Sequence, residues 1–166
     1  MKKILDLGKV ERFELKNNSI VLLLIGPALF VFSYFINNYG DETIQIKGAR
    51  EFFALMFFLV GLLPLIFKKS VYNYYGWLIF FLMFSFSHYL IINLYINDFI
   101  IRFLLGFYTF VFGAILLFNN RLFINVYMIS VLIHLIQKLY ISSLEDILFN
   151  SIISSFSILC LFSFII

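Results

Sequence analysis

The stretch Tyr127–Lys138 reads YMISVLIHLIQK and lies within the fifth of six apolar runs in the chain. Its polar side chains recur at spacings of three and four residues, which places them on one face of a helix. They are Tyr127, Ser130, His134, Gln137 and Lys138. A polar stripe on a helix in lipid has to face protein, water or a ligand. The stretch therefore predicts that further membrane helices pack around it.

The composition of the 166-residue chain is that of an integral membrane protein. Hydrophobic residues make up 63% of it and charged residues 13%, whereas water-soluble domains are about 45–50% apolar and about 25% charged. Most of the basic residues behind the net charge of +3 lie beside apolar runs. We assign this charge to membrane topology and expect no nucleic-acid partner. The single Cys160 can form no internal disulfide.

The apolar runs predict an all-α, polytopic membrane protein, a bundle of six transmembrane helices. A helix of about 20 residues crosses a hydrocarbon core of about 30 Å, and closed barrels need alternating strands instead. The predicted domains are a charged N-terminal segment, residues 1–18, and the bundle, residues 19–166. The predicted spans are Ser19–Asn37, Glu51–Phe67, Gly76–Ile96, Ile100–Phe118, Leu122–Ile141 and Ile147–Ile166.

The distribution of Lys and Arg predicts that both termini lie on the inner side of the membrane. With this orientation, eight of the twelve basic residues fall on inner segments, namely Lys2, Lys3, Lys9, Arg12, Lys16, Lys68, Lys69 and Arg121. The connections 97–99 and 119–121 are very short. We therefore expect the helices that they join to be antiparallel neighbours.

Other predicted helices also carry small or polar stripes, which in lipid allow close packing and interhelical hydrogen bonds. We expect a polar bundle face that consists of Ser85, Arg102, Thr109, Ser130, Gln137 and Lys138. Further small residues at helical spacing are Gly26, Ala54, Gly61, Gly106 and Gly113. Most of these positions are expected to serve packing.

His88 and His134 are the candidate cofactor-binding residues, because each is about the thirteenth residue of its predicted span and both then lie at one depth. No acidic residue lies mid-span, so we expect both imidazoles to be neutral near pH 7. Neutral imidazoles facing each other can ligate haem b, relay protons, bind a ligand or simply pack.

His88 followed ten residues later by Asp98 resembles the haem-bearing helix of succinate dehydrogenase membrane anchors. Asp98-Phe99 stands where those anchors carry Asp-Tyr, and the glycine expected within the segment is absent. The resemblance implies haem ligation by His88. No cofactor is expected on other grounds, and neither a metal site nor a catalytic residue is predicted.

No enzyme motif occurs in the chain, so we expect no enzyme. The leading hypothesis is a non-catalytic, accessory subunit of a larger membrane complex, with lipid and other membrane subunits as partners. One alternative is the membrane sensor or anchor region of a signalling protein, which would need an output domain after Ile166. Another is a solute-binding transporter component, since the size and six helices resemble the substrate-binding subunits of vitamin transporters.

The residue usage also indicates an origin. Phe, Tyr, Met, Ile, Asn and Lys make up about half of the chain, a skew that follows the codons of a very AT-rich genome. The expected location is a mitochondrial inner membrane or a bacterial inner membrane. An energy-transducing, respiratory complex is a natural host there.

Overall fold

The computed structural model of the chain describes residues 7–39, 44, 46–67, 71–142 and 146–165. Within these ranges all regular secondary structure is α-helical, as the sequence predicts. The helices are α1 (Arg12–Tyr39), α2 (Ala49–Ile66), α3 (Tyr75–Ile96), α4 (Ile101–Leu117), α5 (Arg121–Ile141) and α6 (Asp146–Ile165). By length and apolar composition α1, α2, α3 and α5 suffice to cross a membrane, while α4 and α6 contain shorter apolar stretches.

Helix α1 begins at Arg12, seven residues before the predicted span. The carboxylate of Glu14 accepts a hydrogen bond of 3.0 Å from the backbone N–H of Glu11. This is the side-chain half of a capping box, in which the third helical residue reaches back to the N-cap. The cap lets the helix start in charged sequence, where hydropathy alone gives no signal.

The described chain divides into two compact units, and the boundary falls within α3 between Leu82 and Met83. The first unit contains α1, α2, the first turns of α3 and the segment that precedes α1. This segment is fastened to the start of α3, since the N–H of Gly76 donates to the carbonyl of Gly8 at 3.0 Å. A Cβ atom on Gly8 would clash with the Trp77 ring, so a larger residue there would displace that ring.

Helices α1 and α2 form a closely packed antiparallel pair. The hydroxyl of Ser19 donates to the carbonyl of Gly61 at 2.6 Å. A Cβ atom on Gly26 would lie 2.8 Å from the carbonyl oxygen of Ala54. The small residues predicted to pack on these two helices thus lie in their contact. Residues 40–43 and 45 of the predicted loop 38–50 between them lie outside the described residues.

The second unit contains the rest of α3 and helices α4, α5 and α6. The turn between α3 and α4 has Asp98 and Phe99 in the left-handed region, with φ of 49° and 53°. Phe99 is buried, and its N–H donates to the carbonyl of Leu94 at 2.9 Å. The turn reverses the chain within three residues, as its predicted shortness requires.

Helix α6 is attached to α4 through aromatic side chains. The rings of Phe107 and Phe156 stack with centroids 6.0 Å apart. The Tyr108 hydroxyl donates to the carbonyl of Ile152 at 3.1 Å and lies 2.8 Å from Ser155 Oγ. These contacts fix which face of α4 is buried, and this determines where its other residues point.

Candidate functional site

Two histidines from different helices meet inside the second unit. His88 on α3 and His134 on α5 have their Nδ1 atoms 2.6 Å apart. Their ring centroids are 4.8 Å apart and the ring planes are inclined by 40°. Both side chains are half-buried. The shared depth predicted from their sequence positions therefore corresponds to direct contact in the structure.

Ser130 on α5 completes a three-residue network. Its Oγ lies 3.1 Å from Nε2 of His88, so both nitrogens of that ring have a hydrogen-bond partner. A neutral imidazole has one N–H donor and one acceptor nitrogen. Either His88 donates to His134 and accepts from Ser130, or it accepts from His134 and donates to Ser130. The network therefore has two complete proton arrangements.

Next to the histidine pair, towards the first residues of α3 and α5, Ser87 and Tyr127 are hydrogen-bonded. Their oxygen atoms are 2.5 Å apart, and both residues have no exposed surface. Tyr127 belongs to the stripe identified in the sequence, whereas sequence reasoning missed Ser87 and named Ser85. Ser85 is exposed in the structure. Since α3 is apolar all round, hydrophobic periodicity gives no signal of which serine is buried.

On the other side of the histidines, Lys138 lies over the ring of Tyr95, with Nζ 4.9 Å from the ring centroid. Because a cation is attracted to the face of an aromatic ring, this contact positions the Lys138 ammonium one helical turn beyond His134 on α5. Residue numbers increase in the same direction along α3 and α5 at the contacts between them, so the two helices run parallel here. The contacting pairs are Ser87–Tyr127, His88–Ser130 and Tyr95–Lys138.

The remaining residues of the predicted bundle face lie elsewhere. Gln137 is exposed on α5, and Arg102 and Thr109 are exposed on α4. Thr109 donates to the carbonyl of Leu105 in its own helix at 2.8 Å. These three residues therefore lie outside the contact between His88 and His134, and their shared polar face stays a prediction. On α4 the opposite face is the buried one, with Leu104, Phe107, Val111 and Ala114.

The described geometry of the histidine pair does not fit an axially ligated haem. Metal–nitrogen bonds of about 2 Å on each side of an ion require the two ligating nitrogens to lie well beyond the 2.6 Å between the Nδ1 atoms of His88 and His134. The second nitrogen of His88 is engaged by Ser130. Haem ligation would need the rings to separate, and it stays a prediction for spectroscopy.

Among the described residues, no group of three or more His, Cys, Asp or Glu side chains is placed to hold a metal ion. The chemistry that this site offers consists of hydrogen bonding and proton exchange by imidazole and hydroxyl groups. No protein-family profile, curated protein or solved structure matches the chain.

Proposed function

We propose that the chain is a non-catalytic integral subunit of a larger membrane complex. In this proposal all six helices span the bilayer, both termini lie on the inner side, and one helix face contacts a neighbouring subunit. The observation that carries the proposal is the glycine face of α4, defined as the exposed Arg102, Gly106 and Thr109 together with the half-buried Gly113. These residues recur at spacings of four, three and four, which aligns them along one side of the helix.

The glycines of the α1–α2 pair show that such a face lets two helices pack closely. Cβ atoms added to Gly26 and Gly61 would lie 2.8–2.9 Å from atoms of the facing helix, because these glycines let the backbones approach closely. Cβ atoms added to Gly106 and Gly113 would meet nothing within 4 Å. The glycines of α1 and α2 therefore lie in a close helix contact, whereas the glycines of α4 leave room for a neighbouring helix.

An open small-residue face suits another helix better than it suits lipid. In a bilayer, helices associate through van der Waals packing, and small residues let two backbones come close. The exposed Leu105 and Leu116 lie along one side of the glycine face of α4 and would form one wall of a shallow groove. The proposed occupant is a transmembrane helix of another subunit, seated over Gly106 and Gly113.

The proposed host is an energy-transducing complex of a mitochondrial or bacterial inner membrane. The support is the residue usage of an AT-rich genome, together with a chain whose predicted spans take up most of its length. The proposed topology rests on the asymmetry of Lys and Arg. Four of those basic residues, Lys2, Lys3, Lys68 and Lys69, lie outside the described part of the structure.

Cysteine labelling tests the topology. After Cys160→Ser removes the native thiol, single cysteines at Thr43 and Asn119 are expected to react with an impermeant reagent from opposite sides of sealed vesicles. Thr43 itself lies outside the described residues. Reaction of both cysteines from the same side would contradict the six-span arrangement.

Co-purification tests the assembly. The tagged chain, extracted in mild detergent from its native membrane, is expected to carry other polypeptides with it. Gly106→Leu and Gly113→Leu should each reduce their yield at least tenfold, since the new side chain fills the groove. Ser85→Leu, at an exposed position on α3, serves as the matched control and should leave the yield unchanged. A wild-type chain that carries no other polypeptide with it when it is extracted from its native membrane would overturn the proposal.

A further inference from the structure

We infer that the His88–His134 pair is a proton-transfer site within the membrane. Its substrate is the proton, received from water on one side of the network and released to water on the other. The inference does not rest on assembly with other subunits. It rests on the contact between the two rings, on Ser130 and on two further polar pairs that α3 and α5 carry to either side, Ser87–Tyr127 and Tyr95–Lys138.

The polar groups form a ladder along α3 and α5. Its rungs are Ser87–Tyr127, the histidine pair with Ser130, and Tyr95–Lys138. At 1.5 Å per residue, the eleven residues from Tyr127 to Lys138 cover about 16 Å. This is about half of a hydrocarbon core of about 30 Å. Polar side chains at such depth are costly and commonly mark an ion or proton pathway.

The two proton arrangements of the network are related by one proton passing through it. In the first, Ser130 donates to Nε2 of His88, Nδ1–H of His88 donates to Nδ1 of His134, and His134 carries a proton on Nε2. The Ser130 proton moves to His88, the Nδ1 proton of His88 moves to His134, and the Nε2 proton of His134 leaves to water. Ser130 then takes a proton from water on its other side.

This step leaves the second arrangement and is balanced. One proton enters at Ser130, one leaves at His134, both imidazoles remain neutral, and no electron moves. To restore the first arrangement without carrying the proton back, the hydroxyl rotates and both rings swing out of contact, exchange their protons with water and return. Among the described residues, no hydrogen bond is assigned to Nε2 of His134, so this nitrogen is where exchange with water takes place.

The charged groups around the pair favour transfer of a proton through the two imidazoles over its retention on one of them. The described parts of α3, α4 and α5 contain no Asp or Glu, so no carboxylate there holds the imidazoles in their charged form. Lys138 is the charged group that acts on His134, and its cation sits over Tyr95. The edge of the Phe84 ring lies against His88, with centroids 4.3 Å apart, and covers the pair on one side.

Proton flux through the purified chain tests the inference. The full chain is reconstituted into liposomes that contain a pH-sensitive dye, and an acid pulse is applied with potassium and valinomycin to clamp the potential. Wild-type vesicles are expected to acidify at least tenfold faster than protein-free vesicles. His134→Gln should reduce the flux to the protein-free rate, because its amide can still bond to His88 but cannot pass a proton.

A matched control separates transfer from folding. Ser85→Ala alters an exposed hydroxyl near His88 on the same helix and should leave the flux unchanged. His88→Leu should also reduce the flux to the protein-free rate. Each variant is checked for helical content and monodispersity, and His134→Gln decides the matter if His88→Leu does not fold. Wild-type flux equal to that of protein-free vesicles, or equal flux in folded His134→Gln, would overturn the inference.

Discussion

Replacement of Gly26 by alanine probes the packing that defines the first unit. The added Cβ atom would lie 2.8 Å from the carbonyl oxygen of Ala54 and 2.9 Å from the backbone nitrogen of Phe58. Both are backbone atoms, so no side chain can rotate away. To bring the nearest distance from 2.8 Å to an ordinary 3.4 Å, α1 and α2 must move apart locally by 0.6 Å.

The magnitude follows from two opposing terms. Overpacking of a close contact costs about 1–3 kcal/mol, and exchange of glycine for alanine in a helix returns up to about 1 kcal/mol. The expected result is a net loss of about 1–2 kcal/mol for Gly26→Ala. Gly106→Ala meets nothing within 4 Å, so the isolated chain should lose no stability and can gain up to about 1 kcal/mol.

The assay is reversible unfolding of the purified chain in mixed micelles with increasing SDS, followed by circular dichroism. The two alanine variants are measured side by side, so that effects common to any Gly→Ala change cancel. The reasoning is refuted if Gly26→Ala and Gly106→Ala change the free energy of unfolding equally. It is also refuted if the order of the two variants is reversed.

Two further changes address the second unit, each measured by the same unfolding assay. Tyr127→Phe leaves the fully buried Ser87 hydroxyl without its partner and should lower the free energy of unfolding by about 1–3 kcal/mol. The double variant with Ser87→Ala should lose less stability than the sum of the two single losses. Strictly additive losses would count against the hydrogen bond. Asp98→Gly removes the penalty of a left-handed residue at φ 49° and should stabilise the chain by about 1 kcal/mol. A loss there would mean that the aspartate side chain stabilises the turn.

The sequence predicts the helices well, because each apolar run of about membrane length has one viable secondary structure. The equal positions of His88 and His134 in two spans predict a shared depth, and the structure adds that the two rings are in contact. The direction in which a face points is harder to predict. Gly106 and Thr109 do share a stripe, yet the bulky residues opposite them pack inward and the stripe faces outward. Stripe spacing gives the face, while contacts with other helices, such as the stacking of Phe107 on Phe156, decide its direction.

Two features of the fold, the start of α1 and the conformation of Phe99, cannot be predicted from hydropathy. The start of α1 at Arg12 depends on the carboxylate of Glu14, and the spacing Glu11–Glu14 was available as a capping signal. The left-handed conformation of Phe99 had no such signal, because bulky residues rarely adopt positive φ. There the burial of the ring and the short connection between α3 and α4 determine the backbone.

Photocrosslinking from the glycine face of α4 tests the central claim of a partner subunit most directly. A benzoylphenylalanine placed at the exposed Thr109, in the chain expressed in its native membrane, should on irradiation form a covalent adduct with a distinct second polypeptide. The same group at the exposed Val126 of α5 should give that adduct at no more than a tenth of the yield. Adducts with lipid alone at Thr109, or equal polypeptide adducts at both positions, would contradict the claim.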